Sequence, residues 1–110
     1  MIVATTETLP NHEISETLGV VRGNVIRAKH IGSDFVAGLR KIVGGELTEY
    51  TQMIAEAREQ AYDRMLAEAD ALGADAVVCM RFTTSTVSQN AAEVLAFGTA
   101  VRLRPRPAST

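Results

Sequence analysis

The sequence has few of the residues that usually announce chemistry. A single cysteine, Cys79, stands in 110 residues. No disulfide can close within the chain, and a lone thiol suits a reducing compartment. The two histidines, His12 and His30, lie far apart. There is no Cys-x-x-Cys or His-x-x-x-His spacing to set two ligands on one ion. No Gly-rich phosphate loop or nucleophile elbow is found. No apolar run approaches the roughly 18 residues of a membrane span. The opening residues turn polar within a few positions, unlike a secretory leader. Excess charge is lacking as well: 11 basic residues face 13 acidic ones, for a formal net charge of −2. Nucleic-acid binding needs a basic face, so no nucleic-acid partner is expected. The one basic concentration, Arg102, Arg104 and Arg106, reads as a solubilising end. A soluble cytoplasmic protein with no membrane partner is the expectation.

What is present is globular: 46% hydrophobic and 22% charged residues in one domain-sized chain. Residues 1–104 read as a single domain and 105–110 as a flexible tail, because Pro105 and Pro107 cannot continue a ladder easily. The longest pattern runs over 48–73. Tyr50, Ile54, Ala57, Ala61, Met65, Ala69 and Leu72 recur at steps of three and four, the spacing of one helical face. Thr48 caps the start, Glu49 suits the first turn, and Gly73 suits the position just past the end. A rod of about 25 residues measures roughly 37 Å, while a compact chain of this length has a radius of gyration near ~13 Å. The helix is therefore expected to span the subunit. Its alanine-rich face invites close approach by a sheet. The outer acidic residues, Glu56, Glu59, Asp63, Glu68 and Asp70, read as a solvated face.

Residues 2–6 form a short β-prone segment, ended by a turn at 9–12 that holds His12. Residues 14–28 read as a long strand, with Leu18 and Val20 on one face and Val21 and Val25 on the other. Gly19 and Gly23 suggest a bulge or a close backbone approach. A loop with His30 leads to a short helix, capped by Ser33 or Asp34 and lined by Phe35, Leu39 and Ile42. Gly44 and Gly45 stop it. Residues 75–84 are a strand with Ala76, Val78, Met80 and Phe82 on one face and Val77, Cys79, Arg81 and Thr83 on the other. Residues 85–92 read as a polar loop. Residues 93–103 form the return strand of a hairpin, with Leu95, Phe97, Val101 and Leu103 opposite the small residues Val94, Ala96, Gly98 and Ala100.

The fold class is α+β: a three-stranded, mainly antiparallel sheet plus a short N-terminal strand, with one short and one long helix on one face. The crossover makes strands 14–28 and 75–84 parallel, and strand 93–103 fits between them. The face away from the helices keeps aliphatic side chains with nothing left in the chain to cover them. Burial is worth about 25 cal/mol per Å², so a second copy of the chain is the simplest cover.

Several linked motifs resemble those of YbjQ-like proteins. They are Asp34-Phe35-x-Ala37-Gly38-x-Arg40-x-Ile42-Val43-Gly44-Gly45, Tyr50 through Ala57-Arg58, Leu72-Gly73-Ala74-Asp75-Ala76-Val77-Val78, and Ala92-Glu93-Val94-Leu95-x-x-Gly98-Thr99-Ala100-Val101. The similarity runs from Thr5 to Val101. That family is uncharacterised and carries the label "putative heavy-metal-binding". The resemblance implies a dodecin-like subunit assembled as a ring, a homopentamer, with a heavy-metal or transition-metal ion as ligand.

The residue inventory offers two candidate metal ligands, Cys79 and His30, each a single donor per subunit. A ring multiplies one donor around its axis, so Cys79 becomes a ligand if its strand faces that axis. Met53, Met65 and Met80 read as packing. Glu93 and Glu46 are the positions for a general base, neither with an identifiable partner. Three functional readings arise: an oligomeric binding protein with a metal or small ligand between subunits, an enzyme with an interfacial pocket, and a scaffold that presents loop 85–92 to a protein.

Overall fold

A stripe of alanines sets how the chain packs. The computed structural model describes residues 1–28, 48–88 and 91–107, and in it the long periodic stretch forms helix α1, Thr48–Ala71. Ala57, Ala61, Met65 and Ala69 are fully buried, as their spacing on one helical face requires. Leu72 lies past the last turn and is exposed. The helix closes in a Schellman turn. The Gly73 N–H donates to the Asp70 carbonyl at 2.9 Å and the Ala74 N–H to the Ala69 carbonyl at 3.1 Å. The expected short helix over 33–43, the turn at 44–47, His30 and the tip at 89–90 lie outside the described residues.

Four strands make one sheet in the order β1-β3-β4-β2: β1 Ile2–Val3, β2 His12–Ala28, β3 Ala76–Ser88 and β4 Ala91–Pro105. β4 lies between β2 and β3, antiparallel to both, and β1 runs parallel to β3. The expected central place of the last strand is therefore observed.

Two expectations about irregular segments are corrected. Residues 85–88 and 91–92 are strand and not loop, because pairing continues through Ser85↔Glu93, Thr86↔Ala92 and Ser88↔Ala91. Threonine and valine favour the pleat, and the polar composition of Ser85–Ser88 reflects exposure at each of those positions. A scaffold reading would then present an exposed strand at Ser85–Ser88 instead of a loop. The first two residues of the expected tail, Pro105 and Arg106, are tied down. Pro105 pairs with His12, and the Arg106 N–H donates to the Asn11 carbonyl at 3.0 Å. Proline is tolerated there because a strand end asks for no donor.

Helix α1 covers one face of β2 and β4. Val21↔Gly98, Gly23↔Ala96 and Val25↔Val94 are cross-strand neighbours, all buried on the helix side. Small residues from both layers meet there. A Cβ built on Gly23 would sit 2.2 Å from the Ala61 carbonyl oxygen, 2.5 Å from the Met65 nitrogen and 2.7 Å from the Arg64 Cβ. Gly23 is the point where the helix backbone rests on the sheet backbone. Arg64 locks the contact by donating to the Asn24 carbonyl at 2.7 Å.

The compact shape expected from chain length is not found. The radius of gyration is 18.8 Å and the molecule measures 66 × 27 × 16 Å. Strand length explains this. The 17 residues of β2 at about 3.3 Å each extend to about 56 Å. The 24 residues of α1 at about 1.5 Å each reach about 36 Å. The sheet outruns its only described helix.

Candidate functional site

Cys79 sits at a break in β3. Pairing with β4 passes from Val78↔Thr99 to Arg81↔Phe97, so Cys79 and Met80 together oppose Gly98. This is a β-bulge, two residues against one. It reverses the facing of the residues beyond it. Met80 joins the helix-side core with Val77, and Phe82 pairs with Ala96 on that side. Arg81 and Thr83 move to the far face beside Phe97 and Leu95. The uniform alternation read from 75–84 is thereby corrected beyond Val78.

Cys79 adopts φ +56°, a left-handed conformation that costs a non-glycine residue about 1 kcal/mol. The N-terminal segment takes up the hydrogen bonds that the bulge releases. The Cys79 N–H donates to the Thr6 carbonyl and the Met80 N–H to the Ala4 carbonyl, both at 3.0 Å. Cys79→Val is expected to destabilise the fold by about 2 kcal/mol, because β-branched residues are poorly accommodated at positive φ. Cys79→Gly should stay within about 0.5 kcal/mol of the parent, strain relief offsetting the lost thiol contacts. Urea unfolding of the two variants measures the contrast, and equal losses would contradict the bulge.

The thiol is partly buried, its Sγ 3.9 Å from the Thr6 carbonyl oxygen, and packs against the cluster of Leu9, Ala76, Val78 and Val101. That cluster corrects another expectation. Leu9 and Ala4 of the N-terminal segment cover one end of the sheet face away from the helix. The rest of that face stays open: Val20 is 65% exposed and Ile26 58%. Phe82, on the helix side of β3, is 43% exposed.

His12 lies at the other end of β2. A shallow cleft of about 310 Å³ is lined there by Thr8, Leu9, His12, Glu13 and Arg104, among others. Its polar groups are engaged. His12 Nδ1 lies 2.9 Å from the Pro10 carbonyl oxygen, and Arg104 Nε donates to Glu13 Oε2 at 2.8 Å. Arg102 and Glu16 add a looser cross-strand pair at 3.8 Å. The C-terminal arginines read as a solubilising end thus form a ladder with β2.

The family described as "Putative heavy-metal-binding", YbjQ, matches residues 1–104. The chain belongs to the YbjQ family. It is 61% identical over 104 residues to a UPF0145 protein of Archaeoglobus fulgidus, covering 94% of this chain and 96% of that one. It is 57% identical over 106 residues to a UPF0145 protein of Methanosarcina acetivorans, covering 96% and 100%. A crystal structure of a DUF74-family protein of unknown function from Pediococcus pentosaceus shares the fold, with a TM-score of 0.61 at 17% identity over 94% of this chain and 98% of that one.

Do the residues of this YbjQ chain fit a heavy-metal ion? Such a centre needs several thiolate, imidazole or carboxylate donors converging on one point. Among the described residues, no three or more His, Cys, Asp or Glu side chains come together to hold one. Cys79 faces a backbone carbonyl and aliphatic carbons. The described residues of the chain do not make a metal centre. Glu93 stands on the far sheet face between Ile26 and Ser85, with no histidine or carboxylate opposite it. Among the described residues, no helix is long and apolar enough to cross a membrane.

Proposed function

We propose that this chain is a cytoplasmic homo-oligomeric binding protein, a ring of dodecin-like subunits, with its binding sites between copies. The observation that carries the reading is the surface a single copy leaves bare. The accessible area is 7365 Å², against about 5,900 Å² for a compact monomer of this mass. Val20, Ile26 and Phe82 lie within that bare surface. Two strand edges support the same reading. Among the described residues β2 is an edge strand, and the N-terminal segment covers the edge of β3 only as far as Met80. β2 and β3 run parallel, so the edge of one copy can continue the sheet of the next in a head-to-tail contact. Such a contact repeats, and it forms a ring when the rotation closes.

Light scattering on untagged protein at micromolar concentration tests this. The expected mass is a multiple of the 11.8 kDa chain, five-fold for a pentamer. A mass of one chain would end the proposal.

The family description favours a metal as ligand, and Cys79 is the soft donor that each copy can contribute. His30 is the second candidate. On that reading, purified protein carries near-stoichiometric metal by elemental analysis, and Cys79→Ala lowers the content at least tenfold. Equal content in both proteins would remove Cys79 from the metal-binding reading.

A further inference from the structure

The open sheet face holds a row of three side chains that the oligomer reading leaves unused. Phe97 on β4 pairs with Arg22 on β2 and with Arg81 on β3. Directly opposed residues in a sheet have Cβ atoms about 5 Å apart on the same face. The two arginine stems therefore stand roughly 10 Å apart with the phenyl ring between them. All three point away from the helix, because their neighbours Val21, Ala96 and Gly98 form the buried side.

Among the described residues no carboxylate pairs with the charges on this row. Among the described residues, the ion pairs are Arg102–Glu16 and Arg104–Glu13, at the far end of the sheet. Glu93, on the same face, is four positions along β4 from Phe97, about 13 Å away. Arg81 is held in place: its Nη1 donates to the Thr5 carbonyl at 2.9 Å and the Met80 carbonyl at 2.8 Å. Among the described residues its other guanidinium donors make no hydrogen bond. Arg22 is exposed. The rows on either side supply Val20 with Thr99, and Asn24 with Leu95 and Thr83. The floor is apolar with hydroxyl and amide groups at its rim.

Two guanidinium groups across one phenyl ring repel a metal cation and attract an anion. Guanidinium forks bind phosphate or carboxylate with two parallel hydrogen bonds. The half-buried ring of Phe97 between them offers an aromatic surface on which a flat ring can stack. We propose that Arg22, Phe97 and Arg81 form a binding site for a small anion that carries an aromatic ring. This goes beyond the oligomer reading and needs the residues of one subunit only; Arg22 stands between Val20 and Ile26 on β2, so in the proposed assembly the ligand sits at or beside the contact between copies. A monomer that binds such a ligand overturns the first proposal and leaves this one standing. An oligomer that does not bind it does the reverse.

The experiment is a titration of the untagged protein with naphthyl phosphate, followed by naphthyl fluorescence. Naphthol (ring without charge), inorganic phosphate (charge without ring) and a short single-stranded oligouridylate are titrated in parallel. Saturable binding of naphthyl phosphate is expected, at least tenfold tighter than naphthol or inorganic phosphate. Arg22→Gln and Phe97→Leu should each weaken it about tenfold or more, the range for losing one charge-assisted hydrogen bond or one stacked ring. Arg22→Lys should recover part of the affinity. Arg22 makes no hydrogen bond that holds the described fold together, and circular dichroism of each variant confirms that it is folded. The proposal is overturned if naphthyl phosphate does not bind. It is equally overturned if folded Arg22→Gln and Phe97→Leu proteins bind as the parent does, or if naphthol or inorganic phosphate matches naphthyl phosphate. Binding of the oligouridylate far more tightly than naphthyl phosphate would make the face a nucleic-acid surface and overturn it too.

Discussion

Gly23→Ala is expected to lower the stability of the fold by about 3 kcal/mol, the upper end for overpacking a closed interface. The added methyl group would stand 2.2 Å from one helix backbone atom and 2.5 Å from another. Backbone cannot rotate aside as a side chain can, so the helix must lift from the sheet. Lifting it opens gaps around Ala57, Ala61 and Met65, which are fully buried in the parent. Voids there lose contacts that no rearrangement of alanine can restore. At about 4–8 °C per kcal/mol, the midpoint of thermal unfolding should fall by more than 10 °C. A loss under 1 kcal/mol would mean that helix and sheet are farther apart than described.

The second large effect concerns assembly. Val20→Lys combined with Ile26→Lys should convert the proposed oligomer to monomer at micromolar concentration. Each side chain contributes about 1.5–3 kcal/mol when buried, so losing two weakens a contact by roughly 4 kcal/mol, about a thousandfold in dissociation constant. Buried lysine adds a further penalty. Both residues are exposed in the subunit, at 65% and 58%, so the helix and sheet signals of circular dichroism should persist at low temperature. Sedimentation velocity reads the outcome. An unchanged oligomer would place the contact elsewhere on the molecule.

Parts of this fold were legible because one physical rule governed each. The alanine stripe of α1 follows from helical spacing alone. Gly23, a glycine amid valines, was open to a bulge or a close backbone approach, and the second is what the structure shows. The central place of β4 follows from the short hairpin and the right-handed crossover. The bulge at Cys79 was hidden. Ala76, Val78, Met80 and Phe82 alternate without a flaw, and no glycine marks the left-handed position. Leu9 gave no sign that it would fold back over Ala76 and Val101, because such long-range cover leaves no periodic trace. Residues 85–88 were misread since their polarity reports solvent exposure, which strands and loops share. The candidate anion site was out of reach for a related reason. Arg22 and Arg81 come from distant parts of the chain, and only the register across Phe97, shifted by the bulge, puts them in one row.

The molecule is 66 Å long and 16 Å through its thinnest dimension. A slab so thin has little interior, and much of each layer borders water. On the proposed assembly, neighbours supply the missing interior, and folding is coupled to how many neighbours are at hand. Association then draws the unfolding equilibrium by mass action. Heat resistance becomes a property of the solution as much as of the polypeptide: dilution alone should soften it, and crowding the sample with its own kind should harden it.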